Sequence, residues 1–92
     1  MATINVSRTE TSAASAFDVR VIDERSGTEH RVTASSADLE RLSAGRAPED
    51  FMRACFEFLL EREPKESILR SFGVSVIGRY FPEFEREIVN RP

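Results

Sequence analysis

The sequence predicts an α+β domain: a three-stranded antiparallel β-meander packed against four to five short helices. Two features of patterning carry this expectation. Apolar residues alternate with polar ones up to about residue 35, as in half-buried strands, and then switch to helical spacing. Helix-capping and helix-ending residues punctuate the second part at short intervals. With 92 residues the chain forms a single domain over 1–92, divided into a meander (1–35) and a helical part (36–92).

The strands come first. Ile4 to Arg8 alternates, and Phe17, Val19 and Val21 share one face of a stronger strand. His30, Val32 and Ala34 alternate again after the turn segment Asp23 to Gly27, where Gly27 offers a positive φ. The spacing predicts a hairpin over 16–23 and 28–34, with Ile4 to Arg8 as the third strand. Thr9 to Ser15 is small and polar and reads as a loop. Such a meander needs a helical layer to be stable.

The helices follow. Ser35 with Asp38 resembles a capping box, Leu39 and Leu42 form the apolar stripe, and Gly45 ends the first helix. Pro48 suits the first turn of a second helix, which Pro64 closes after about Glu63. Lys65 to Phe72 predicts a third short helix stopped by Gly73. Ser75 caps a fourth through Tyr80, and a last one runs from Glu83 to Val89. On the second helix, Phe51, Met52, Cys55, Phe56, Phe58, Leu59 and Leu60 spread over an arc of about 200°, too wide for a one-sided surface helix. It needs cover on two sides: the meander on one, and the C-terminal helices or a second copy of the chain on the other.

Composition limits the chemistry. Lys plus Arg is 13 and Asp plus Glu 16, a net charge of −3, which argues against a general nucleic-acid binder. All but one of the basic residues are Arg, scattered along the chain rather than clustered into a patch. A single Cys allows no internal disulfide, and a single His excludes the usual Cys/His zinc sites. No apolar run reaches membrane-span length and the first residues lack signal-peptide order, so a cytoplasmic protein with no membrane partner is expected. Cys55 falls on the most apolar helix and His30 in a strand at the surface or sheet edge, which does not make a nucleophile and base pair. Glu57/Glu61 and Glu83/Glu87 sit beside Arg53 and Arg86 and read as solvated faces with weak ion pairs. The glycines are isolated and form no phosphate loop. The expectation is a non-enzyme with no catalytic residues, cofactor or metal.

Two resemblances remain. Lys65 to Pro82 has the order of a helix-turn-helix, and its Gly73-Val74-Ser75…Arg79…Phe81 run resembles the turn and recognition helix of lac-repressor-type regulators. That makes DNA binding through 65–81 the alternative function. Against it stand apolar Val76 and Ile77 at base-reading positions, Pro82 soon after, and many flanking glutamates. Phe58 to Phe72 (FLLEREPKESILRSF) with Val76 to Glu85 (VIGRYFPEFE) resembles a group of small bacterial proteins of about this length, with no assigned activity. The resemblance is densest over 51–88. It implies N-terminal strands, C-terminal helices and no enzyme chemistry. The aromatics crowd into the helical part, and Arg and Tyr are frequent interface anchors. The leading expectation is therefore a protein-interaction module, homodimeric in one form of the reading. Its surface would comprise Arg70, Arg79, Tyr80, Lys65 and Glu66, facing another protein or a second copy. A small-ligand site in an apolar pocket between meander and helices is the third reading.

Overall fold

The structure, a computed structural model, describes residues 2–10 and 15–91. A four-stranded sheet of order β1-β2-β3-β4 is covered on one face by four short helices. Strands β1 (Thr3–Glu10), β2 (Ser15–Ile22) and β3 (Gly27–Ala34) form the expected antiparallel meander. The tip of the first hairpin, residues 11–14, lies outside the described residues, and the rest of the expected loop, Thr9, Glu10 and Ser15, belongs to the strands. The turn between β2 and β3 uses the Asp23 carboxylate rather than Gly27. Asp23 Oδ1 accepts from the backbone N–H of Arg25 (2.8 Å) and Ser26 (3.0 Å), so no positive φ is needed there.

The fourth strand corrects the expected three-stranded sheet. β4 (Ser71–Gly73) pairs parallel to β3, which makes the sheet mixed and puts a strand inside the helical part. The third helix expected over Lys65 to Phe72 does not form. Lys65–Ser67 makes one 3-10 turn, and Ile68 leaves it in an extended conformation (φ −75°, ψ 133°). Two physical causes are visible. The Lys65 side chain is tied back to the β2–β3 turn, and the outer edge of β3 offers N–H groups that need acceptors, the first met by Arg70 O at 2.6 Å from Arg31 N. The parallel sense follows from the connection: the chain returns from β3 through two helices before pairing.

Helix α1 (Ser36–Leu42) is capped as expected, with Ser35 Oγ accepting from Asp38 N at 3.0 Å. It ends through Ala44 (φ 54°) and Gly45 (φ 80°), both left-handed. Helix α2 (Pro48–Leu60) starts on Pro48 and stops three residues before the expected Glu63. Helix α3 (Val74–Tyr80) begins after Gly73 with no side-chain cap, so Ser75 lies inside it rather than capping it. Helix α4 (Phe84–Asn90) is shifted one residue from expectation, within the usual fraying of helix ends.

Helix α2 receives its two-sided cover within one chain. Phe51, Met52, Cys55, Phe56 and Phe58 have no exposed surface. They join Phe17, Val19, Val21 and Val32 of the sheet, and Val74, Ile77, Phe84 and Ile88 of α3 and α4, in one core. Phe58 meets Phe84 and Phe81 edge-on, with ring centroids 5.1 and 5.9 Å apart. The α2 residues Asp50, Arg53 and Glu57, and Glu61 at its C-terminal cap, face solvent, as the wheel predicts.

Candidate docking surface

The structure divides the five expected surface residues between two places. Lys65, Glu66 and Arg70 surround one polar hollow, shared with Arg20, Glu29 and His30. Tyr80 lines a separate apolar cleft with Leu69, Phe72 and Val76. Arg79 lies beside Tyr80 on α3 and is exposed.

At the first place Lys65 is a tether rather than a contact residue. Its side chain is only 6% exposed, and Nζ donates to Asp23 Oδ2 and Glu66 Oε2, each at 2.6 Å. The ammonium, together with the N–H groups of Arg25 and Ser26, holds the Asp23 carboxyl far below the usual carboxylate range. Glu66 is lowered as well, chiefly by the same ammonium. The cluster joins the β2–β3 turn to the 3-10 turn and so fixes where the chain enters the Ile68–Leu69 segment. Arg70 extends instead toward the uncovered sheet face, near Arg31 and Asp18. That face carries matched cross-strand pairs: Arg31–Asp18 at 3.0 Å and Arg20–Glu29 at 3.8 Å, each directly opposite in register.

The second place is apolar. Leu69 is 47% exposed and Tyr80 67%, the two most exposed large apolar side chains among the described residues. Between them a cleft of about 30 Å³ is floored by Ile68 and Ile77 and walled by Phe72, Phe81 and Glu63. This volume is about that of one water molecule and far below the ~300 Å³ at which small-molecule sites begin. The space between sheet and helices is filled by core side chains. The hollow that does lie between the meander edge and the helices, about 1040 Å³ and lined by Ile4, Leu60, Glu57 and Arg91 among others, is an open groove rather than the enclosed apolar pocket of the third reading from sequence. The cleft suits the tip of one protein side chain. Arg79 makes no hydrogen bond or ion pair with a described residue, and Glu83, its nearest acidic neighbour in sequence, is held by Arg62 at 3.1 Å.

Three residues that sequence reasoning misplaced or passed over build this region. His30 is 4% exposed, not at a surface or edge, because it shares the helix-covered face of β3 with Val32 and Ala34 and lies 5.3 Å from the Phe56 ring, while β4 removes the edge. Its Nδ1 lies 2.7 Å from Leu69 O and its Nε2 2.8 Å from Thr28 Oγ1. A carbonyl only accepts, so Nδ1 carries the proton and Nε2 accepts from the Thr28 hydroxyl. His30 thereby anchors the backbone that presents Leu69. Arg62 stacks 3.6 Å over the Phe58 ring and donates to Glu83 and to Glu87 (3.0 Å), pinning α4 to the end of α2. Arg46 donates to Ser43 O (2.8 Å) and to Ile88 O (2.5 Å), closing the ends of α1 and α4 together. These pairings replace the Arg53–Glu57 and Glu83–Arg86 pairs expected from spacing. Arg53 meets Asp50 instead, at 3.4 Å. No one-dimensional signal marks the long-range role of either Arg, since the acceptors they reach on and around α4 lie 21 to 45 positions away.

Among the described residues, Cys55 and His30 do not form an activated nucleophile and base pair. Burial pushes the Cys55 thiol far above its ordinary value, and both ring nitrogens of His30 are engaged elsewhere. Among the described residues no three His, Cys, Asp or Glu side chains gather as metal ligands, and no helix is long and apolar enough to cross a membrane. The helix that a helix-turn-helix needs over 65–72 is replaced by a 3-10 turn and a strand. The chain matches no protein-family model, no curated protein and no solved structure.

Proposed function

We propose that the protein is a non-enzymatic, cytoplasmic protein-interaction module of bacterial origin that docks a segment of another protein at the Leu69–Tyr80 cleft. One observation carries the reading: the two most exposed large apolar side chains stand together on one cleft, while every other large aromatic ring is buried or half-buried. The cleft is apolar apart from Glu63 and admits only the tip of a side chain, so the ligand segment is one that offers an apolar tip, with Arg79, exposed next to Tyr80 on α3, as a further contact. The unactivated thiol and the fully engaged imidazole support a non-enzyme. The resemblance to small bacterial proteins supports the origin.

The test is affinity capture from the native cells with wild type, Tyr80→Ala and Arg79→Ala baits, plus Arg20→Ala as a surface control. A partner taken by wild type and Arg20→Ala but lost from Tyr80→Ala, with unchanged melting, supports the reading. A partner held equally by all baits, or only nuclease-sensitive material, refutes it and favours the other face or DNA.

A further inference from the structure

The strongest unabsorbed feature lies at the opposite edge of the sheet. The β4 edge is only three residues long, a usual way of blunting an edge. The β1 edge is eight residues long, pairs with β2 in unbroken register, and contains no Pro, Gly or Lys. Its outward groups follow from alternation. Arg31 N points to β4, so His30 points to β2, Arg20 to β1, and Ile4 and Val6 away from the sheet. Arg53 Nε, only 3.5 Å from Ile4 O, agrees. Among the described residues no other backbone group bonds this edge at Ile4 or Val6.

We propose, independently of the Leu69–Tyr80 cleft, that two copies of this chain pair antiparallel through their β1 strands about a two-fold axis at Asn5. In this register Ile4 of each copy faces Val6 of the other. Each such pair exchanges both backbone hydrogen bonds, and the apolar side chains adjoin on the helix-covered face. A two-fold at Val6 would instead set Ile4 against Arg8, which matches less well. Helix α2 runs opposite to β1, since Ile4 meets Arg53 whereas Ala2 shares a hollow with Leu60 and Glu63. A groove of about 1040 Å³ beside β1 is lined by Ile4, Glu57 and Leu60. The axis at Asn5 sets the two α2 helices side by side across the seam, each with Asp50, Arg53 and Glu57 exposed. Arg53 now holds only the long contacts to Asp50 and Ile4 O, and Glu57 accepts no hydrogen bond from a described residue. Strand pairing alone covers less than the ~800 Å² per partner of a stable interface. The two α2 faces closing over the grooves supply the remainder.

The test is sedimentation of the full chain up to about 1 mM, where even weak pairs assemble, with variants that add one surface cysteine to the buried Cys55 alongside. The expected species has twice the 10.4 kDa chain mass. Asn5 is a non-hydrogen-bonded position opposite itself, with Cα atoms about 4.5 Å apart, within disulfide range. Asn5→Cys is therefore expected to form an intermolecular disulfide much faster than Ser26→Cys in the exposed turn. Asn5→Lys sets like charges across the axis and is expected to weaken association about fivefold, with the monomer melting as wild type. A chain that stays monomeric at the highest concentration overturns the proposal. So does a dimer that Asn5→Cys does not trap, or one that Asn5→Lys leaves intact.

Discussion

Replacing His30 by Phe tests whether the imidazole, rather than packing alone, positions the Leu69 segment. The substitution keeps a ring beside Phe56, whose centroid lies 5.3 Å away, and removes both hydrogen bonds. Thr28 is half-buried and recovers a water, so its share of the loss is small. Leu69 O loses its donor beside a side chain that is 4% exposed. Leaving this part-buried acceptor without its donor costs up to about 1–3 kcal/mol. For a domain of this size each kcal/mol lowers Tm by roughly 4–8 °C, which gives a fall of about 5–20 °C. Thr28→Val removes only the outer bond and is expected to fall by less than His30→Phe. Thermal unfolding followed by circular dichroism measures both. Amide exchange at Arg31, whose N–H donates to Arg70 O at 2.6 Å, is expected to quicken in His30→Phe as β4 loosens. A His30→Phe protein that melts within about 2 °C of wild type with unchanged exchange would refute the reasoning.

Further outcomes follow from the same geometry. The Asp23 carboxyl is depressed, so its contribution is complete above the ordinary carboxylate range and is lost as pH falls through the depressed value. Acid titration of Tm is expected to be steeper in wild type than in Lys65→Met, which removes the largest cause of the lowered Asp23 carboxyl and leaves only the Arg25 and Ser26 N–H groups; parallel curves would contradict the tether. Phe58→Ala empties a fully buried site between Phe81, Phe84 and Arg62 and is expected to cost about 3–5 kcal/mol in urea unfolding. That is a large part of the roughly 5–14 kcal/mol expected for a chain of this length. Cys55, buried and with its thiol pushed up, is expected to resist iodoacetamide in the native protein and react on unfolding, read by mass.

Local chemistry made much of the fold legible. Phe17, Val19 and Val21 alternate because one face of β2 is buried, and the Ser35 cap and Pro48 start are side-chain and φ effects acting within a few residues. The wide apolar arc of α2 foretold cover from two sides. What failed depended on distant partners. Ser71–Gly73 is too short to show a period, and it is a strand because β3 offers it an edge. Ile68 and Leu69 look helical in sequence, yet the Lys65–Asp23 tether and the His30–Leu69 bond hold them extended. The candidate surface was half legible. Tyr80 is marked by its residue type, whereas no local pattern marks Leu69 as an exposed side chain. Lys65 looked like a surface charge because its partner Asp23 lies 42 positions earlier.

The docking claim is tested most directly by placing a photo-crosslinking amino acid at position 80 in native cells, with position 20 as the control. The uncovered sheet face at Arg20 and the cleft at Tyr80 are both solvent-exposed, so bystander proteins reach each equally. The account predicts one dominant protein adduct from position 80, absent from position 20 and diminished by Leu69→Ser in the same chain. Equal, diffuse labelling from the two positions, or an adduct confined to position 20, would contradict it.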